Sequence, residues 1–256
     1  MQTDLLARYD AEMRRDPPLT GGLVATRVGG LVRLSGPYNC IVHSDLSEAD
    51  AEAQVAAEVA HLMATGGRLE WKVHGHDQPE DLPRLLEDHG FTPEPMETLL
   101  VRAIDETLWQ APADPEVVIR TAETAADVAD FSRAVEAAFG HLFDDDPDLW
   151  LARIRGGEAA LHVAYVDGAP VACGRLETPA GRSFAGLYTG GVAPAHRGRG
   201  LYPALVQSRA REAAGRGYEY LITEALETSR PILQRLGFTP LTTVQGWVLE
   251  AEGGTA

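Results

Sequence analysis

Cysteine is scarce in this chain. Cys40 and Cys173, two in 256 residues, make neither a disulfide framework nor a thiolate metal site. Both stand in apolar, strand-like runs, so buried structural thiols in a reducing cytosol are expected. Histidine is scattered: His141, His162 and His196 fall into no His/Cys/Asp spacing that would hold a metal, and none is expected. No apolar run approaches the roughly 20 residues that cross a bilayer. Met1-Gln2-Thr3-Asp4 has neither the basic nor the apolar region of a secretion signal. Basic charge is in deficit as well. Lys and Arg number 22 against 38 Asp and Glu, a formal net charge of −16. That balance excludes a broad phosphate-reading face and suits a cationic substrate. The expectation is a cytoplasmic chain with no nucleic-acid or membrane partner.

What is present is a composition able to build a packed core, 45% hydrophobic and 23% charged, at a length that fits one large domain or two ordinary ones. The most informative stretch is Val192-Ala193-Pro194-Ala195-His196-Arg197-Gly198-Arg199-Gly200-Leu201-Tyr202. An apolar segment, Ser183 to Thr189, precedes it and reads as a strand. Tyr202 to Ala214 follows with helical spacing and Gly215 as its C′ residue. A glycine-rich turn from strand to helix presents backbone N–H groups at the positive end of the helix dipole, which is an anion site. Gly198 and Gly200 permit close approach, and Arg197 and Arg199 add charge. A Rossmann fingerprint would need a third glycine where Pro203 stands. A P-loop would need Gly-Lys-Ser/Thr, which does not occur.

The stretch resembles the acetyl-CoA motif of the GNAT superfamily of N-acetyltransferases, Arg/Gln-x-x-Gly-x-Gly/Ala preceded by Val-x-Pro. Val192, Pro194, Arg197 and Gly200 match it, and Tyr202 replaces the small final residue. The resemblance implies a mixed-sheet α/β fold of the acyl-CoA N-acyltransferase type. It also implies acetyl-CoA as co-substrate and a small-molecule or peptide amine as acceptor. The co-substrate would lie on Gly191, Val192, Ala193, Arg197, Gly198, Arg199, Gly200, Leu201 and Tyr202, with Gly190-Gly191 a bulged strand end. Ser229 to Phe238 is similar to the family's closing helix and Leu-Gly-Phe. Leu233 stands where many members carry a tyrosine acid.

The C-terminal half reads in the order such a fold requires. Val117–Thr121 is a strand, Thr121–Ala138 and Asp148–Ile154 are helices, and Ala160–Val166 and Pro170–Leu176 form a hairpin around Asp167-Gly168. Tyr220–Glu224 is a strand, Ser229–Leu236 a helix and Val244–Leu249 the last strand. The N-terminal half echoes it. Gly90-Phe91-Thr92-Pro93 recurs at Gly237-Phe238-Thr239-Pro240, each time after a strand and a helix. Upstream, Leu23–Val28, Leu31–Ser35 and Cys40–His43 read as strands and Ala49–Ala64 as a helix. The turn His43-Ser44-Asp45-Leu46-Ser47-Glu48 has no glycine and two acids, so Ser47 or Asp45 is an N-cap there rather than part of an anion site. Two GNAT-like domains in tandem follow: a degenerate copy at 1–105 without the cofactor loop, a linker at 106–116 and an acetyl-CoA domain at 117–256. An unrelated α+β domain at the N-terminus is the alternative.

Acetyl transfer to an amine by direct attack needs a neutral amine, a polarised thioester carbonyl and a protonated leaving thiol. Glu224, at a strand end beside the motif strand, is the candidate base, with Glu227 and Glu177 behind it. Tyr188 and Tyr202 are the candidate acids, although positioning alone can carry such a reaction. Asp144, Asp145 and Asp146 either bind the acceptor's ammonium group or cap the following helix. A CoA-binding module without turnover is the competing reading, and a protein binding ATP or NAD through the glycine loop is a third. Both a monomer and a homodimer fit the sequence.

Overall fold

The computed structural model describes residues 2–109, 117–141, 143 and 146–251. The chain divides into two compact units. Unit 1 comprises the chain up to Leu100, Glu224–Pro231 and the chain from Pro240, and unit 2 comprises Val101–Thr223 and Ile232–Thr239. That division is not the expected cut at 105 and 117.

Unit 1 opens with helix α1 (Gln2–Tyr9), which runs on into a π-helical turn at Asp10–Arg15. Strands β1 (Val24–Val28), β2 (Leu31–Ser35) and β3 (Asn39–Ser44) form an antiparallel meander. Helix α2 (Glu48–Thr65) crosses over to β4 (Gly67–His74), which pairs parallel with β3. Ser47 caps α2 by accepting from the Asp50 N–H, so the turn before α2 is closed by a side chain. Helix α3 (Leu82–Asp88) and the short β5 (Thr92–Pro93) follow. Trp71, Val55, Leu82, Leu86 and Phe91 fill the core beneath β4.

Unit 2 repeats the plan. Strands β7 (Val118–Thr121), β8 (Ala159–Val166), β9 (Ala169–Glu177) and β10 (Phe184–Val192) are antiparallel neighbours in sequence order. Helix α6 (Leu201–Gly215) then crosses to β11 (Tyr220–Ala225), parallel to β10. The β8–β9 turn at Asp167-Gly168 has both residues at positive φ, as a two-residue hairpin turn requires. Helices α4 (Ala125–Phe139) and α5 (Pro147–Arg155) cover one sheet face through Phe131, Val135, Trp150, Leu161 and Val163. Leu201 and Leu205 of α6 cover the other face against Ala164, Val166 and Ala172. β8 is therefore buried on both faces, which explains why its run is apolar but for His162. The helix expected to stop at Gly215 has Arg216 as its C-cap, and Gly217 takes the positive φ that follows.

The last strand of the chain is the principal departure from the expected layout. β12 (Thr239–Ala251) pairs antiparallel with β4 from Val244↔His74 to Ala251↔Gly67 and so completes the sheet of unit 1. β6 (Glu97–Ala103), which would close the N-terminal half, ends in unit 2. There Ile104 N–H donates to Glu219 O at 2.9 Å, and Thr239 Oγ1 donates to Val101 O at 3.3 Å. β6 is thus divided, Glu97–Leu100 with unit 1 and Val101–Ala103 with unit 2. Strand sequence specifies a pleated, half-buried surface and leaves the partner open.

Candidate functional site

β10 and β11 share only three registered pairs, Phe184↔Tyr220 to Gly186↔Ile222, and then β10 continues alone to Val192. Along its other edge the ladder with β9 is interrupted. Tyr188 pairs with Arg175 and Gly191 with Cys173, so Thr189 and Gly190 face the single residue Gly174. Thr189 sits at φ 48°. For a β-branched residue that conformation stores about 1–3 kcal/mol of strain. A Cβ at Gly191 would stand 2.6 Å from the Phe139 ring, so only glycine lets β10 lie this close to the end of α4.

Beyond the bulge the chain makes a single 3-10 turn at Pro194–His196 and enters the loop. Gly198 and Gly200 both take φ 78°, and Gly200 is the left-handed N-cap of α6. No side chain caps that helix, in contrast to Ser47 on α2 and Thr124 on α4. The first N–H groups of α6 therefore lack intrahelical acceptors, at the positive end of the dipole and over open space around both glycines. Such a helix start has the geometry that suits an anion. Arg197 is committed differently from the sequence expectation. Its Nε donates to Val192 O at 3.1 Å and its Nη2 to Ala138 O at 3.5 Å, so it clasps the loop to β10 and to the C-terminal end of α4. Further along α6, Pro203, Val206 and Gln207 line a pocket of about 390 Å³ together with Arg235, Leu236 and Gly237.

The other nominated residues are spread more widely. Tyr202 follows the loop and packs on Gly190, its Cε2 being 3.0 Å from where a Cβ there would stand. Tyr188 lies over Gly186 with the Arg175 guanidinium on its ring. Leu233, at the position of the family's tyrosine, is fully buried. Glu224 is counted with unit 1, where Lys72 of β4, the only lysine of the chain, donates to its Oε2 at 2.5 Å. Burial works against the Lys72 ammonium, but the Glu224 charge holds its pKa well above the usual lysine range. Glu177 is held by Arg153 and Arg175, and Glu227 by Arg230. Asp146 is the N-cap of α5, accepting from Asp148 N–H at 2.9 Å, so the capping alternative holds for that residue. Asp144 and Asp145 lie outside the described residues. No group of three or more His, Cys, Asp or Glu among the described residues could hold a metal ion.

Sequence reasoning missed two buried arginines. In unit 1, Arg14 reaches from the π-helical turn to β3 and to the turn that follows β4, and β3 and β4 likewise share three pairs. It donates to Val42 O at 3.0 Å, to both carboxylate oxygens of Asp77 at 2.7 and 2.6 Å, and to Asp10 at 2.8 Å. In unit 2, Arg209 of α6 reaches the bulge from below. Arginines in helical spacing read as a solvated face, and the only local hint is, for Arg209, the pair Gly174 and Gly190 that face it.

Residues 127–238 match the model of the Acetyltransferase (GNAT) family. This chain carries a GNAT acetyltransferase domain. The domain's general chemistry is acyl transfer, and the matched span runs from the first turn of α4 to Phe238, with the bulge and the glycine loop inside it. By structure the chain is similar to a GCN5-related N-acetyltransferase from Kribbella flavida (TM-score 0.67, 17% identity, 99% of this chain and 96% of that one). It is equally similar to a functionally unknown conserved protein from Staphylococcus epidermidis (TM-score 0.67, 14% identity, 95% and 98%). A tandem GNAT protein from the clavulanic acid biosynthesis pathway aligns over 99% of this chain and 95% of its own (TM-score 0.61, 16% identity). No curated protein matches the sequence significantly. The chain thus has the fold of GNAT acyltransferases, including tandem ones.

Proposed function

We propose that the protein is an acetyl-CoA-dependent N-acetyltransferase that moves the acetyl group to a primary amine of a small molecule or peptide by direct attack. One observation carries the reading: a strained bulge in the splayed strand β10 runs into a loop with two left-handed glycines and an uncapped helix. In this reading the backbone at Gly191, Val192 and Ala193 lines the pantetheine arm, and the loop from Gly198 to Tyr202 takes the pyrophosphate. Arg199 adds positive charge to the loop, and Arg197 works as a clasp.

Unit 1 is, on the same reading, a degenerate copy. Its three parallel pairs, crossover helix and short following helix repeat the plan of unit 2, but Arg14 cross-braces β3 to the turn after β4 and Ser47 closes the helix N-terminus. Glu224, the base nominated from the sequence, is held by Lys72 within unit 1, and the proton of the attacking amine passes to water on this reading. Buried, unpaired thiols fit a reducing, cytoplasmic setting.

The test is calorimetric titration with CoA and with ATP and NAD, followed by thiol release from acetyl-CoA against a panel of amines. One CoA bound per chain, with thiol release on at least one amine, is expected. Binding without release on a broad panel favours the alternative of a non-catalytic CoA module, for which buried Leu233 in place of the helix tyrosine is the specific observation. Absence of CoA binding overturns both, and stabilisation by nucleotide alone replaces them.

A further inference from the structure

Among the described residues Arg209 is a buried cation without a paired carboxylate. It stands in the middle of α6 at 1% exposure. Its Nε donates to Leu205 O at 3.1 Å and its Nη1 to Arg175 O at 3.2 Å and Tyr188 O at 3.4 Å. Nη2 is buried with no well-formed hydrogen bond, the Tyr202 hydroxyl being the side-chain group that interacts with the guanidinium, and no carboxylate pairs with it among the described residues. Burying an uncompensated charge costs several kcal/mol. Glycines make the room for it: a Cβ at Gly174 would stand 2.7 Å from Arg209 Cζ. The charge faces the β10 bulge. A Cβ at Gly190 would stand 3.5 Å from both Arg209 Nη2 and the Tyr202 hydroxyl. The two groups that feel the Arg209 charge are Tyr202 first and Cys173 second. Burial raises the Tyr202 pKa, and the adjacent guanidinium draws it part of the way back. Cys173 is spoken for, since its thiol points to Gly191 O on the far side of the ladder.

We infer that Arg209 is a positioning residue whose unpaired charge makes Tyr202 the proton donor to the departing thiolate, on a helix different from the one that bears the family's tyrosine. The inference rests on the proposed acetyl transfer. As the C–N bond to the amine forms and the C–S bond breaks, the Tyr202 O–H proton passes to sulfur. The electron pair left on the phenol oxygen is held beside the guanidinium. The surplus proton of the new amide nitrogen returns to the phenol through water, so the cycle closes with one amide and one thiol. A phenol is a weaker acid than a thiol, and an adjacent buried cation narrows that gap.

The experiment uses the full chain with Tyr202→Phe, Arg209→Met and Arg209→Lys, acetyl-CoA and the fastest amine of the panel. Tyr202→Phe is expected to lower kcat about 10² -fold with KM for acetyl-CoA changed less than about threefold. Arg209→Met lowers kcat by about tenfold or more and moves the alkaline limb of the rate profile to higher pH, because the phenol loses its cation and holds its proton longer. Arg209→Lys keeps the charge and most of the rate. Tyrosine titration by near-ultraviolet absorbance needs no cofactor. One phenol, absent in Tyr202→Phe, should titrate at higher pH in Arg209→Met than in the wild type. If CoA binds and is turned over but Tyr202→Phe keeps kcat within twofold, the inference falls while the acetyltransferase reading stands. If CoA does not bind, the reading falls with it, and the titration still decides whether the pair exists. Should Arg209→Met fail to fold, a Tyr202→Phe rate unchanged, or an Arg209→Lys variant as slow as Tyr202→Phe, overturns it equally.

Discussion

Gly200→Glu separates the proposed anion site from the fold that carries it. Gly200 sits at φ 78° and ψ 7°, and a Cβ placed there meets nothing within 4 Å. A side chain therefore fits sterically, and the backbone cost of holding a non-glycine residue in the left-handed region is about 1 kcal/mol. A carboxylate at the N-cap of α6 regains about 0.5 kcal/mol from the helix dipole, so stability should hardly change. Affinity should change a great deal. A carboxylate about 4 Å from a phosphate charge is repelled by about 1 kcal/mol in water and about 4 kcal/mol at the effective dielectric of a protein surface. Gly200 is exposed, so an intermediate of about 2 kcal/mol applies, a loss of roughly thirtyfold in Kd for CoA. Gly200→Ala carries the same backbone cost without the charge and sets the baseline. Isothermal titration with CoA on both variants, with melting curves to verify folding, reads the difference. A folded Gly200→Glu that binds CoA within threefold of Gly200→Ala refutes the assignment of the loop to the pyrophosphate.

Arg14→Met should lower stability by about 3–5 kcal/mol in denaturant titration near neutral pH, because it leaves Asp77 and Asp10 buried without their cation; a loss below about 1 kcal/mol would refute the cross-brace. Burial pushes the Asp10 carboxyl up, but hydrogen bonds from His76 and Arg14 outweigh it and leave the pKa lowered to about 2 from 3.8. Because the folded value is the lower one, its contribution of about 2 kcal/mol is complete above pH 4 and fades as pH falls from about 4 to 2; a wild-type stability flat across that window speaks against it. Burial pushes the Cys173 thiol up to about 11 and the Cys40 thiol higher still, so both should react with a disulfide reagent slowly in the native protein and at once in denaturant; a fast native reaction at either thiol would show that it is accessible.

Local chemistry was legible in the sequence wherever neighbours along the chain decide the conformation. The Asp167-Gly168 turn, the Ser47 cap, the glycine loop and the bulge at Gly190 all follow from residue types within a few positions of one another. The repeated Gly-Phe-Thr-Pro gave away a repeated plan. The site was less legible at its charged members. Arg197 looks like a phosphate ligand but clasps two carbonyls, and Glu224 looks like a free strand-end acid but meets Lys72 from 152 residues away in the chain.

The sequence by itself determined the order of elements and the glycine-rich turn between strand and helix. It did so because turns, caps and left-handed glycines are short-range steric and hydrogen-bonding matters. Tertiary structure alone decided that β12 completes the sheet of unit 1, since any strand with a suitable face can fill a given edge and only the assembled sheet selects one. It alone decided, too, that Arg14 and Arg209 are interior. A guanidinium goes to solvent unless distant carbonyls, carboxylates and glycines converge to receive it, and that convergence exists only once the chain has folded.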